Sequence, residues 1–266
     1  MEISVNGIKL AYDHRGDGPP VVFLHSLGAD HTIWAPQIEM LRATHTCVAV
    51  DLRGHGGSEA PPGPYTLECL ADDVAALMDA LFIPSATIVG ISLGGMVAMT
   101  LALRHPAKAA RLVLADTTAA YPDEAQAAWP ARIRQVEEGG VAPLVAATLE
   151  RWFTAEVRQE RPALVERVGS IIAATPVAGY AGCCHAIAGM AAEPTLKGRL
   201  PLIRCPALVV VGDRDAGTPP AMAEAIATAI PVARLEVIEG AAHLSNLCRP
   251  DHFTQLLHAF LAEPPV

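Results

Sequence analysis

The 266-residue chain is long enough for one large domain, or one domain carrying an insertion, and can bury roughly 75% of its unfolded surface without a metal or disulfide staple. Hydrophobic residues make up 52% and charged residues 18%, which excludes a disordered chain, and aromatics at 5% leave alanine and the aliphatic residues to fill the core. The net charge of −9, with no basic stripe, argues against a nucleic-acid partner and leaves an acidic surface that weakly repels anions.

Residues 3–5 and 8–12 flank Asn6-Gly7, a strong hairpin signal. Short apolar runs then follow at 21–25, 46–51, 86–90, 111–116, 205–211 and 234–238. Runs apolar on both faces fit parallel strands covered by helices. The stretches between them carry helical period. Residues 66–81 place Leu67, Leu70, Val74, Leu77, Met78 and Leu81 on one stripe, with Thr66 as N-cap. Helices are also expected at 93–104, ending before Pro106, at 219–230, opening on proline, and at 250–261. The alternation breaks between residues 121 and 194. That stretch has helix signals and no strand, and Pro130, Pro143, Pro162 and Pro176 punctuate it into about four short helices. The expectation is an α/β core at 1–120 and 195–266, with an eight-stranded, mostly parallel sheet and a helical cap inserted at 121–194.

No apolar run reaches the ~18 residues of a membrane span. The start, Met1-Glu2-Ile3-Ser4-Val5, lacks the basic and then apolar regions of a signal peptide, so the expected compartment is the cytoplasm, with no membrane partner. The six cysteines lack C-x-x-C spacing and read as free, mostly buried thiols. No cluster of thiols and imidazoles suggests a zinc site.

The strongest chemical signal is Gly90-Ile91-Ser92-Leu93-Gly94. It matches G-x-S-x-G at the junction of a strand and a helix, where a sharp turn presents the serine and demands small neighbours. Ser92 is the expected nucleophile, at the positive end of the following helix dipole. Its base should be His243, on the loop after the last strand; His252, His258, His105 and His185 read as helical or helix-terminal. The acid should follow the strand at 205–211, where Asp213 and Asp215 compete. The G-x-x-D form of the loop favours Asp215 and leaves Asp213 a structural turn residue. A tetrahedral intermediate needs two aimed N–H donors, each worth roughly 3–4 kcal/mol. One is expected from the Leu93 amide. The other is expected from the loop His25-Ser26-Leu27-Gly28, at the Leu27 amide, with Ser26 the weaker alternative.

The order Ser92, Asp215, His243 and the full element pattern resemble the α/β hydrolases. Asp51-Leu52-Arg53-Gly54-His55-Gly56-Gly57-Ser58 resembles a loop of that superfamily and is read as structural. Within it, several segments are similar to the 3-oxoadipate enol-lactonases: Trp129 with Ala131-Arg132-Ile133, then Arg151-Trp152-Phe153-Thr154, then Gly179-Tyr180-Ala181-Gly182-Cys183-Cys184, then Thr218-Pro219-Pro220 and Ala241-Ala242-His243-Leu244-Ser245-Asn246. His185 and Cys248 depart from that likeness, at positions expected to be small and polar or acidic respectively.

The resemblance implies hydrolysis of a lactone or carboxylic ester through an acyl-enzyme, in aromatic catabolism, with a small-molecule substrate and neither metal nor organic cofactor. A broad carboxylesterase or arylesterase, with perhydrolysis as a side activity, is the alternative within the enzymes. A ligand receptor that turns over slowly is the alternative outside them. Enzymes of this fold that use an aspartate nucleophile, the haloalkane dehalogenases and epoxide hydrolases, are disfavoured by Ser92. An enol-lactone carries a carboxylate that an acidic protein cannot recruit at long range, because exposed charges are screened beyond ~8 Å at physiological salt. A local cation is required, and the insertion offers Arg132 and Arg151. If helical, Trp129, Arg132, Ile133 and Val136 share one face, so Trp129 would form an aromatic wall and Arg132 the substrate-binding guanidinium.

Overall fold

In the computed structural model, residues 1–264 are described. The strands are β1 (Glu2–Val5), β2 (Ile8–Arg15), β3 (Pro20–Leu24), β4 (Thr46–Val50), β5 (Ala86–Ile91), β6 (Ala109–Ala115), β7 (Ala207–Gly212) and β8 (Ala233–Ile238). They form one sheet in the order β1-β2-β4-β3-β5-β6-β7-β8. The pairs β1–β2 and β2–β4 are antiparallel, and every pair from β4 onward to β8 is parallel. The fold is thus the expected α/β hydrolase sheet, opened by the Asn6-Gly7 hairpin, with both turn residues at positive φ.

Alternation along the strands divides the core. On β3, Val22 and Leu24 face the cluster that includes Leu70 and Val74 of α2 (Leu67–Ala80) and Met96 and Val97 of α3 (Leu93–Arg104). Val21 and Phe23 face the opposite cluster, with Ile38 and Leu41 of α1 (Ala35–Leu41) and Phe253 and Leu257 of α13 (Pro250–Leu261). Each such aliphatic or aromatic side chain, fully buried, contributes about 1.5–3 kcal/mol. Thr66 caps α2 as expected, its hydroxyl accepting from the Cys69 amide at 3.0 Å, a contribution of about 1 kcal/mol. Helix α11 (Pro220–Ala229) covers β7 and β8, with Pro219 at its N-cap.

Two features differ from the sequence reading. Helix α1 was not foreseen: it is short, follows a 3-10 turn at His31–Trp34, and buries only Gln37, Ile38 and Leu41. The strand-free stretch after β6 holds six α-helices rather than four: α4 (Asp123–Ala127), α5 (Trp129–Gly139), α6 (Val145–Trp152), α7 (Ala155–Glu160), α8 (Pro162–Ala174) and α9 (Val177–Ala188). The prolines do separate the helices, by standing at their starts. Pro130 and Pro162 stand in the first turn of α5 and α8, where the missing N–H has no intrahelical partner to lose. A one-turn helix, α10 (Leu196–Arg199), leads back toward β7, and another, α12 (Ser245–Cys248), precedes α13.

Among the described residues no single helix is long and apolar enough to cross a membrane, and no group of three or more His, Cys, Asp or Glu side chains converges as a metal site. All six cysteines are free; Cys47, Cys183, Cys184 and Cys248 are buried, while Cys69 and Cys205 are half-buried. Cys183 and Cys184 point into opposite core clusters.

Candidate active site

Parallel strands deliver their following loops to one edge of the sheet, so Ser92 after β5, Asp215 after β7 and His243 after β8 converge although they are far apart in sequence. Ser92 stands between β5 and α3 with φ +55° and ψ −116°, a strained backbone for any L-residue. Neighbouring contacts hold it there: the Ser92 amide donates to Ala115 O at 2.9 Å, and Thr117 Oγ1 donates to Ser92 O at 2.7 Å. The glycines of the motif have a steric reason. A Cβ on Gly90 would lie 2.2 Å from Gly94 O, and one on Gly94 would lie 2.2 Å from Leu24 O.

Ser92 Oγ lies 2.9 Å from His243 Nε2, and His243 Nδ1 lies 2.8 Å from Asp215 Oδ2. These distances fit an imidazole that donates Nδ1–H to the carboxylate and accepts the serine proton at Nε2. Burial opposes a charge on His243, but the Asp215 carboxylate and its hydrogen bond outweigh it, so the pKa stands above the ordinary histidine value. Burial likewise opposes the Asp215 charge, and it is outweighed by His243 and by Thr218, so its pKa is lowered. Asp215 Oδ1 accepts from the amides of Gly217 at 2.8 Å and Thr218 at 3.0 Å, and Oδ2 accepts from Thr218 Oγ1 at 2.7 Å. Asp213 is exposed and points elsewhere, its Oδ1 accepting from the Ala241 amide at 3.2 Å. Trp152 stacks over His243, ring centroids 6.2 Å apart.

Among the described residues neither the Leu27 nor the Leu93 amide donates a hydrogen bond within the protein. Leu93 follows Ser92 directly at the start of α3, and Leu27 lines the same cavity as Ser92. The loop that carries Leu27 is held by two buried histidines. Gly28 N donates to His55 Nε2 at 2.9 Å, and Leu52 N donates to His25 Nε2 at 2.9 Å. Both rings must stay neutral to accept. Burial, then repulsion from His25, lowers the His55 pKa to about 3, and burial lowers that of His25. The segment 51–58, read from sequence as structural, therefore also fixes the Leu27 loop. It is itself pinned by Arg53, paired with Asp73 of α2 at 2.7 Å.

A cavity of about 640 Å³ opens over Ser92 and His243. Ser26 and Leu27 line it, together with Ala216, Gly217, Pro219 and Met222 after β7 and residues of the strand-free stretch, among them Trp129, Arg132, Arg151 and Tyr180. On α5, Ile133 and Val136 turn into the core while Trp129 and Arg132 border the cavity. Arg132 Nη2 donates to Tyr180 Oη at 3.1 Å, with the guanidinium 5.8 Å from the ring centre. Two guanidiniums thus border the cavity, and none of the residues lining it is an aspartate or glutamate.

Sequence reasoning missed Asp116. This fully buried carboxylate, at φ +42°, accepts from the Gly212 amide and the Ser245 amide, both at 2.9 Å. It ties the loop after β7 to that after β8. Burial, then the Asp215 charge, pushes its pKa up to about 7. An aspartate at a strand end after an apolar run is the one signal the sequence offered, and the same signal marks many turn residues.

A family model described as the alpha/beta hydrolase fold matches residues 19–250. The chain is 36% identical over 247 residues to 3-oxoadipate enol-lactonase 2 of Acinetobacter baylyi, covering 93% of this chain and 90% of that protein. The crystal structure of the enol-lactonase from Burkholderia xenovorans superposes with a TM-score of 0.93 at 37% identity, covering 99% of this chain and 100% of that one. A thermophilic esterase from Thermogutta terrifontis, solved with malate bound, superposes with a TM-score of 0.91 at 31% identity, covering 98% of each chain.

Proposed function

This chain belongs to the α/β hydrolase family and is a carboxylic-ester hydrolase, and we propose that it is a serine hydrolase whose substrate is a carboxylate-bearing enol-lactone, 3-oxoadipate enol-lactone in aromatic catabolism. One observation carries the reading: the Ser92–His243–Asp215 hydrogen-bond chain opens into a cavity bordered by two guanidiniums and no acid. The enol-lactonase relatives support the substrate.

In this reading His243 Nε2 takes the Ser92 proton as Oγ attacks the lactone carbonyl carbon. The amides of Leu27 and Leu93 receive the oxyanion, and Asp215 holds the imidazolium and its tautomer. Collapse breaks the bond to the ring oxygen, which takes the proton from His243. The enol stays tethered to the acyl chain and tautomerises to a ketone. Water then gives a proton to His243, attacks the acyl carbon and releases the acid, and the imidazolium returns the proton to Ser92. None of these steps calls on a metal or organic cofactor. Trp129 walls the ring, and Arg132 holds the pendant carboxylate. Residues 121–194 act as a cap on a core formed by 1–120 and 195–266, and the cytoplasm is the compartment of a soluble small substrate.

The test is a panel of lactones and esters assayed with purified protein. The expected result is a kcat/KM on the enol-lactone well above that on phenyl or aryl esters. Equal efficiency across the panel favours the second reading, a broad-specificity carboxylesterase or arylesterase, which the Thermogutta esterase supports.

A further inference from the structure

The sheet ends on β8, which has β7 on one side and no strand on the other. Hydrogen bonds at both ends of this ladder fix which way the β8 backbone faces. Ala207 N donates to Val232 O at 3.0 Å, and Asp213 N donates to Ile238 O at 3.1 Å. In a parallel pair alternate residues direct both N–H and C=O to the same neighbour, so Arg234 and Glu236 bond toward β7. Leu235 and Val237 therefore turn their N–H and C=O outward, and Ala233 its C=O, while the Ala233 amide is taken by Ile230 O at 3.2 Å. Side chains alternate as well. Arg234 lies over Phe260 on the α13 face, and Leu235 packs toward the opposite core.

A row of unpaired backbone groups accepts another strand unless proline, lysine or a bulge blunts the edge. β8 reads Ala-Arg-Leu-Glu-Val-Ile and keeps its register with β7 throughout, so it has none of these. Val237 is 46% exposed, and Val232, just before the strand, is 43% exposed. The two charges on β8 have opposite sign and stand on one face. Arg234 reaches Glu263 with its side chain still 43% exposed, and Glu236 forms no ion pair among the described residues.

An antiparallel strand must set its own outward residues against Leu235 and Val237. A second β8 does so in registers centred on Arg234, Leu235 or Glu236. The first opposes Arg234 to itself and the last opposes Glu236 to itself, and like charges directly opposite are destabilising. Centred on Leu235, Arg234 of each copy faces Glu236 of the other, at the non-hydrogen-bonded positions where side chains come closest. Leu235 N then donates to Leu235 O of the second copy, Val237 N donates to Ala233 O, and the exposed Val237 side chain covers Ala233.

We propose that β8 is a dimer interface: two copies of this chain pair antiparallel about a two-fold axis at Leu235, and the sheet continues from one into the other. Two chains of net charge −9 repel at long range, but exposed charges are screened beyond ~8 Å at physiological salt, and the Arg234–Glu236 pairs act at contact.

Sedimentation equilibrium of the full chain, from about 1 to about 100 μM, should show a monomer–dimer equilibrium, as weak interfaces of this size do. Glu236→Arg sets arginine against arginine twice by symmetry and should raise the dissociation constant about tenfold or more. Arg234→Glu sets glutamate against glutamate and should do the same. Combining Arg234→Glu with Glu236→Arg exchanges the charges and should return the constant to within about threefold of wild type. None of these residues belongs to the catalytic site, so melting curves and ester hydrolysis report folding. A wild type that stays monomeric across the range overturns the proposal. So does a dimer that both single variants leave intact, or a double variant that binds no more tightly than the single ones. If Arg234→Glu fails to fold for want of its Glu263 pair, Glu236→Gln and Glu236→Arg decide: dissociation constants should rise in the order wild type, Glu236→Gln, Glu236→Arg, and equal constants overturn it.

Discussion

Ser92, His243 and Asp215 make one hydrogen-bonded line, and each residue has its own failure mode. Ser92→Ala should lower kcat by roughly 10⁴–10⁶-fold while the melting curve stays close to wild type; near-normal turnover in the folded variant would remove Ser92 as nucleophile. Asp215→Asn should cost roughly 10⁴-fold, because an amide presents the wrong partner to Nδ1–H, and Asp213→Asn should cost far less. The reverse ranking, measured on one ester, would transfer the acid to Asp213. The raised pKa of His243 sets a pH profile. A base must be neutral, so kcat/KM should fall as pH drops, with its midpoint above the ordinary histidine value of about 6.5. A rate flat from about pH 5 to 9 would exclude His243 as the base. Arg132→Ala should raise KM for a carboxylate-bearing lactone by about tenfold relative to its effect on a neutral aryl ester. Equal effects on both substrates would take Arg132 out of carboxylate binding.

At the scale of elements, the strand-free stretch is joined to the sheet by backbone contact as well as by side chains. Gly179 of α9 packs against Gly54 so closely that a Cβ on Gly179 would lie 1.9 Å from Gly54 O. Gly182, one turn on, accepts from the Tyr65 amide at 3.2 Å through its carbonyl. Two glycines at the crossing let α9 reach the loop that steadies Leu27, and α9 also carries Tyr180, the tether of Arg132. Gly179→Ala must push α9 outward, because the obstructing atom is backbone and cannot rotate away. The expected cost is about 1–3 kcal/mol of stability, typical of overpacking, with a higher KM as Tyr180 and Arg132 shift. A melting temperature and KM both unchanged in Gly179→Ala would show that α9 does not need this approach.

Over the whole molecule, buried titratable groups set the response to acid. His55 is neutral in the fold down to about pH 3, whereas an unfolded histidine protonates near 6.5. Its stabilisation is therefore full above 6.5 and is lost as pH falls toward 3, at about 1.4 kcal/mol per pH unit. His25, also lowered by burial, adds a loss of the same sign. Asp116 works in the other direction. Its raised pKa of about 7 gives a contribution that is full below the unfolded aspartate pKa and lost as pH rises through 7. Between about pH 4 and 6.5 it offsets one histidine. Asp116→Asn should remove that offset, so unfolding free energy should drop more steeply toward acid pH, by about 1.4 kcal/mol per pH unit more than wild type. Denaturant titrations at several pH values check this; parallel slopes for the two proteins would mean that Asp116 is ionised across the window.

The sequence by itself determined the succession of strands and most helices along the chain. Apolar runs, the Asn6-Gly7 turn, the Thr66 cap and the small residues around Ser92 are local features, and local sterics and periodicity fix them wherever the chain goes next. The limits of that reading are equally physical. Helix α1 buries too few residues to write a period, and helices such as α4 and α7 are too short to be counted from proline spacing, so the stretch reads as about four helices where six form. The tertiary structure decided everything that depends on partners distant in the chain: the Asp215–His243 bond, the neutrality of His55 beneath Gly28, and the burial of Asp116 between two loops. Burial and proximity create these properties, and neither exists until the parallel sheet has brought the loops to one edge.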